Sequence, residues 1–74
     1  MLKIKDNVDL RELVDKYDFK YTQYFYCSWE YEKWGIRVES STRKIGLLPN
    51  ADIDLLYDLI KAGFVEKVDD NNGK

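Results

Sequence analysis

Tyr17-Asp18-Phe19-Lys20-Tyr21-Thr22-Gln23-Tyr24-Phe25-Tyr26-Cys27-Ser28-Trp29-Glu30-Tyr31-Glu32-Lys33-Trp34 is the stretch whose reading decides how this 74-residue chain folds. Nine of these residues are aromatic, more than one face of a single strand can hide. From Phe19 to Trp29 the pattern has a period of two. Phe19, Tyr21, Phe25, Cys27 and Trp29 fall on one side of a pleat, with Tyr24, Tyr26 and Ser28 on the other. The expectation is one long central strand, closed by a polar turn at Glu30-Tyr31-Glu32-Lys33.

After that turn Trp34, Ile36 and Val38 alternate with Gly35, Arg37 and Glu39, the signature of a second strand. Ser40-Ser41 suits a tight reversal. Thr42 to Leu47 then forms a third strand, with Arg43, Ile45 and Leu47 on one side and Lys44 and Gly46 on the other, completing an antiparallel meander. Pro49 stops the sheet because it lacks a backbone donor.

Helices flank the meander. Asp9 and Glu12 have capping-box spacing, and Leu10, Leu13, Val14 and Tyr17 recur at helical intervals until Asp18. Beyond Pro49, with Asn50 or Asp52 as cap, Ile53, Leu56, Tyr57 and Ile60 trace a stripe widened by Leu55 and Leu59, and Gly63 stands where a left-handed C-terminal cap is expected. Short strands are expected at Leu2 to Lys5 and Phe64 to Val68, with Leu2 to Ile4 beside Phe64 to Val68 or at the sheet edge. The fold class is therefore α+β in the order β-α-β-β-β-α-β, with both helices on one sheet face. One domain is expected over residues 1–68, followed by a disordered polar tail over 69–74.

Composition narrows the function. A chain this short buries only about 60% of its unfolded surface, so every large apolar residue has a structural claim on it first. There is no His, and the one cysteine, Cys27, lies in an apolar setting that does not favour a thiolate. No enzyme activity is expected. Ser40, Ser41 and Thr42 beside Arg43 and Lys44 read as a hairpin turn and not as a phosphate contact. The four glycines are scattered, so no phosphate cradle is present. Glu30 and Glu32, or Asp52, Asp54 and Asp58, lack the glycine-containing spacing of a calcium loop, and neither metal nor cofactor is expected. Nor is there an apolar run approaching the roughly 18 residues of a membrane span, and a cytoplasmic protein is expected.

Net charge is −2, and residues 51–74 carry six acids against three lysines. Such a balance disfavours nucleic acid as a partner. The aromatic sheet is the sharper candidate. Tyr24, Tyr26, Tyr31, Trp34 and Arg37 are residue types enriched at protein interfaces, and a protein partner is expected there. The same rings could instead stack single-stranded bases, or form the seam of a homodimer. A secondary acidic surface comprises Asp52, Asp54 and Asp58.

Two terminal segments add context. Leu2-Lys3-Ile4-Lys5-Asp6-Asn7-Val8-Asp9-Leu10 and Leu55-Leu56-Tyr57-Asp58-Leu59-Ile60-Lys61-Ala62-Gly63-Phe64-Val65-Glu66-Lys67-Val68 resemble the ends of small accessory proteins encoded by phages and prophages of low-GC Gram-positive bacteria. That resemblance implies a binder that modulates a host enzyme, and in one specific form an inhibitor of a host defence nuclease. Leu59 to Val68 is also similar to the helix-to-wing segment of winged-helix proteins, although no basic recognition helix precedes it.

Overall fold

The reversal at Trp34-Gly35 organises the structure. Both residues have positive φ, 50° and 82°. Two consecutive left-handed residues make the tight hairpin turn whose twist matches the strands on either side. A computed structural model describes residues 1–24 and 28–68 of the chain. Its elements are β1 (Leu2–Ile4), α1 (Arg11–Tyr17), β2 (Lys20–Tyr24), β3 (Ser28–Lys33), β4 (Ile36–Glu39), β5 (Ile45–Leu47), α2 (Ile53–Lys61) and β6 (Val65–Lys67). The expected places of Phe25, Tyr26 and Cys27 and the expected tail over 69–74 lie outside the described residues.

The α+β class and the antiparallel meander hold, but the aromatic stretch contributes two strands where one was expected. Tyr24 pairs with Ser28, Tyr21 with Tyr31 and Lys20 with Glu32, so β2 and β3 form a hairpin. The polar group Glu30 to Lys33, expected as a turn, continues β3, because the chain reverses at Trp34-Gly35 instead. Trp34 consequently leaves the strand assigned to it. Arg43 also leaves its expected strand, with φ 66° in the β4–β5 connection. The order becomes β-α-β-β-β-β-α-β.

The four-stranded sheet runs β2-β3-β4-β5, and β1 pairs with β6, Leu2 opposite Lys67 and Ile4 opposite Val65. A single bridge, Lys3 to Lys44, and the Ile4 N–H donating to the Arg43 carbonyl at 2.9 Å join the two sheets. Arg43 strengthens this junction. Its guanidinium donates from Nη1 to the carbonyls of Lys5 at 2.8 Å and Val8 at 2.6 Å, tying the loop before α1 to the β4–β5 turn.

Register assigns the two faces. Tyr31 opposes Val38, and Val38 opposes Ile45, so these share a face with Ile36. They join Leu13 of α1 and Leu55, Leu56 and Leu59 of α2 in one core with Ile4 and Phe19. Both helices thus cover the same side of the sheet. Among the described side chains the far side carries Thr22, Glu30, Glu32, Arg37, Glu39 and Gly46, a polar set; Tyr24 and Tyr26, the rings expected there, have side chains outside the described residues.

Each helix ends in a left-handed residue, Asp18 in α1 and Gly63 beyond α2. At the start of α2 the Asp52 carboxylate accepts from the N–H groups of Asp54 at 2.9 Å and Leu55 at 3.2 Å. The capping box expected at Asp9 and Glu12 does not form at α1: its N-cap is Leu10, without a side-chain cap, while Asp9 accepts the Arg11 N–H at 3.0 Å and Glu12 pairs with Lys16 at 3.2 Å. Burial also departs from the expected stripes. Val14 lies at the surface, and on α2 it is Leu55, Leu56 and Leu59 that enter the core, leaving Ile53, Tyr57 and Ile60 exposed.

Gly35 is confined on two counts. A β-carbon there would stand 2.7 Å from the Ala51 Cα and 3.0 Å from its N, whereas at Gly63, with the same φ of 82°, it would meet nothing within 4 Å. Gly63→Ala is expected to cost about 1 kcal/mol from backbone strain alone. Gly35→Ala adds overpacking against a main chain that cannot rotate away, and is expected to cost at least about 3 kcal/mol. Urea denaturation of the two variants checks the difference.

Candidate protein-contact surface

The β2–β3 pairing brings three rings together on the helix side of the sheet. Tyr21 lies directly opposite Tyr31, with Trp29 as the diagonal neighbour of Tyr21. The Tyr21 and Trp29 rings stack at 4.8 Å between centroids and 24° between planes, and Tyr21 leans on Tyr31 at 4.6 Å and 35°. Stacked pairs of this kind add about 0.5–1.5 kcal/mol beyond the area that they bury.

Burial grades across the cluster. Tyr31 is in the core, whereas Tyr21 is 51% exposed and Trp29 40% exposed. The cause is topological: β2 is the outer strand of its sheet, so beyond Tyr21 no further strand follows to carry a helix over it. The result is a rigid aromatic shelf at the sheet margin, anchored from below by a buried phenol.

Burial raises the pKa of that phenol above its ordinary value of 10.0. Tyr21 and Asp9 push the same way, while Arg11 and Arg43 oppose them. The start of α1 is therefore electrostatically close to the shelf. Asp9 and Arg11 are engaged with each other there, Arg11 Nη2 lying 2.9 Å from Asp9 Oδ2, and this bonding holds the Asp9 carboxyl below the usual range.

The residues expected to form one interface are divided. Tyr31 lies on the helix side. Arg37 lies on the opposite face, donating from Nε to Glu30 Oε1 at 2.7 Å. Trp34 sits at the reversal, exposed, with the Lys33 ammonium 4.5 Å from its ring centroid. The same ammonium donates to the Tyr17 carbonyl at 2.6 Å, capping the C-terminal end of α1. Tyr26 and the side chain of Tyr24 lie outside the described residues. Of the acidic group, Asp52 caps α2, and Asp54 and Asp58 are exposed along that helix. Tyr21 was not among the residues expected to form the interface, although it was expected on the same side of the pleat as Trp29. Its shared parity with Trp29 was visible, but its marginal position was not.

Glu30, Arg37, Glu39 and Lys44 share an open depression of about 330 Å³ with the apolar Met1, Ile45, Leu47 and Leu48. Glu39 accepts from the Thr42 hydroxyl at 2.6 Å. Among the described residues no group of three His, Cys, Asp or Glu side chains is placed to hold a metal ion. No described helix is long and apolar enough to cross a membrane.

The sign of the pH dependence follows from Tyr31. A phenol whose pKa is higher in the folded state favours folding fully below its unfolded value, and that contribution is lost as pH rises through the folded value. Stability is expected to decline above about pH 10 as the Tyr31 phenol is driven to ionise. Urea denaturation across alkaline pH checks this, and Tyr31→Phe should remove that part of the decline. Compared with protein-family models, with curated proteins and with solved structures, the chain matches none of them.

Proposed function

We infer that this domain acts by binding and not by catalysis, as a phage- or prophage-type accessory protein that contacts a protein partner through the shelf of Tyr21 and Trp29. The observation that carries this reading is the stack itself: two large rings held flat together at 4.8 Å while about half of each faces solvent. Aromatic side chains fixed before contact contribute broad apolar area with little loss of rotamer freedom, and Tyr and Trp are enriched where interfaces concentrate their energy.

The resemblance of the chain's ends points to a host or phage protein as the partner. A defence nuclease is a specific form of that idea, supported by the exposed acids Asp54 and Asp58. Single-stranded nucleic acid is the competing class. Arg11, at the start of α1, is already engaged by Asp9 at 2.9 Å, and the net charge of −2 gives phosphate little attraction.

Affinity capture from a low-GC Gram-positive lysate tests the reading. Tyr21→Ala and Trp29→Ala each remove a partly exposed ring, are expected to cost the fold about 1 kcal/mol, and should weaken a captured protein at least about tenfold. Trp34→Ala, at the far end of β3, should leave capture intact. Retention that ignores both shelf variants, or a captured nucleic acid whose binding collapses with salt, contradicts the proposal.

A further inference from the structure

Helix α2 has a second apolar face that the fold leaves uncovered. Ile53, Tyr57 and Ile60 recur at i, i+4 and i+7 and so lie within about 60° of one another around the helix. They are 61%, 58% and 43% exposed. Their stripe is distinct from the buried face formed by Leu55, Leu56 and Leu59, and lies on a different element from the aromatic shelf.

We propose that this stripe is a self-association seam, at which α2 packs antiparallel against α2 of a second copy of the chain. The occupant is argued from charge. Asp54 and Lys61 flank the stripe on the same side, one near each end of the helix, at about 100° and 80° from Ile53. A two-fold axis through an antiparallel helix pair places like flanks side by side in reversed order. Lys61 of each copy then meets Asp54 of the other, twice, while Ile53 faces Ile60 and Tyr57 meets Tyr57 at the axis. A parallel arrangement would carry the two copies of this flank to opposite sides of the seam, where Asp54 and Lys61 would not meet each other across it. The Lys61 ammonium already leans inward over the Tyr57 ring, 5.4 Å from its centroid, which keeps the cation at the border of the stripe.

Size sets the strength. Two helices of this length bury on the order of 1,000 Å², the lower end for specific interfaces, where weak and transient association is the rule. A small domain with a thin core also gains stability from such pairing.

Sedimentation velocity over a concentration series tests the seam, with circular dichroism to check each variant's fold. The native chain should pass from monomer to dimer. Tyr57→Asp sets two like charges at the axis and should abolish the dimer. Asp54→Lys and Lys61→Asp should each raise the dissociation constant about tenfold, and the double exchange should restore it. A native monomer at about 1 mM overturns the proposal. So does a dimer indifferent to Tyr57→Asp, or a double exchange no tighter than the single ones.

Discussion

The bare α-carbon of Gly35 against the main chain of Ala51 is the contact on which the rest of the structure depends. Only a residue without a β-carbon combines a φ of 82° with an approach this close. Hydrogen bonds surround the contact. The Leu48 N–H donates to the Gly35 carbonyl at 2.9 Å and the Asp52 N–H to the Trp34 carbonyl at 3.0 Å. The hairpin turn and the start of α2 are thereby one unit, so fixing the reversal also places the second helix over the sheet.

The same reversal sets which side chains are inside. Strand side chains alternate, and a slip of one residue would exchange the two faces entirely. With the turn at Trp34-Gly35, Lys33 pairs with Ile36 and Tyr31 with Val38, so apolar groups collect beneath the helices while Glu30, Glu32, Arg37 and Glu39 face outward. The charged face is well suited to water. It also leaves Tyr21, Trp29 and Tyr31 on the helix side, where Tyr21 and Trp29 stay partly exposed. The exposed shelf is thus a consequence of register and strand order.

Much of this was legible in the residues. Gly63 and Asp52 marked the ends of α2, Asp18 ended α1, and the terminal strands pair, one of the two placements expected for Leu2 to Ile4. The aromatic stretch was not legible, because between Phe19 and Trp34 there is no Gly or Pro to punctuate it. A period of two looks the same whether it belongs to one long strand or to two. Trp at a positive φ gives no compositional warning either, although the Gly that follows it was a turn signal. In α2 apolar residues span more than half the circumference, so periodicity located the helix and left open which part of the arc was buried. For the candidate surface, parity linked Tyr21 with Trp29, but exposure came from the place of β2 in the strand order, which only long-range pairing decides.

Nuclear Overhauser contacts across the reversal decide whether Gly35 and Ala51 touch. Strong contacts are expected between the α-protons of Gly35 and the α-proton of Ala51, together with cross-strand contacts joining Tyr31 to Val38 and Tyr21 to Tyr31. Absence of the Gly35 to Ala51 contact, with Phe19 to Trp29 behaving as a single uninterrupted strand, would contradict this fold.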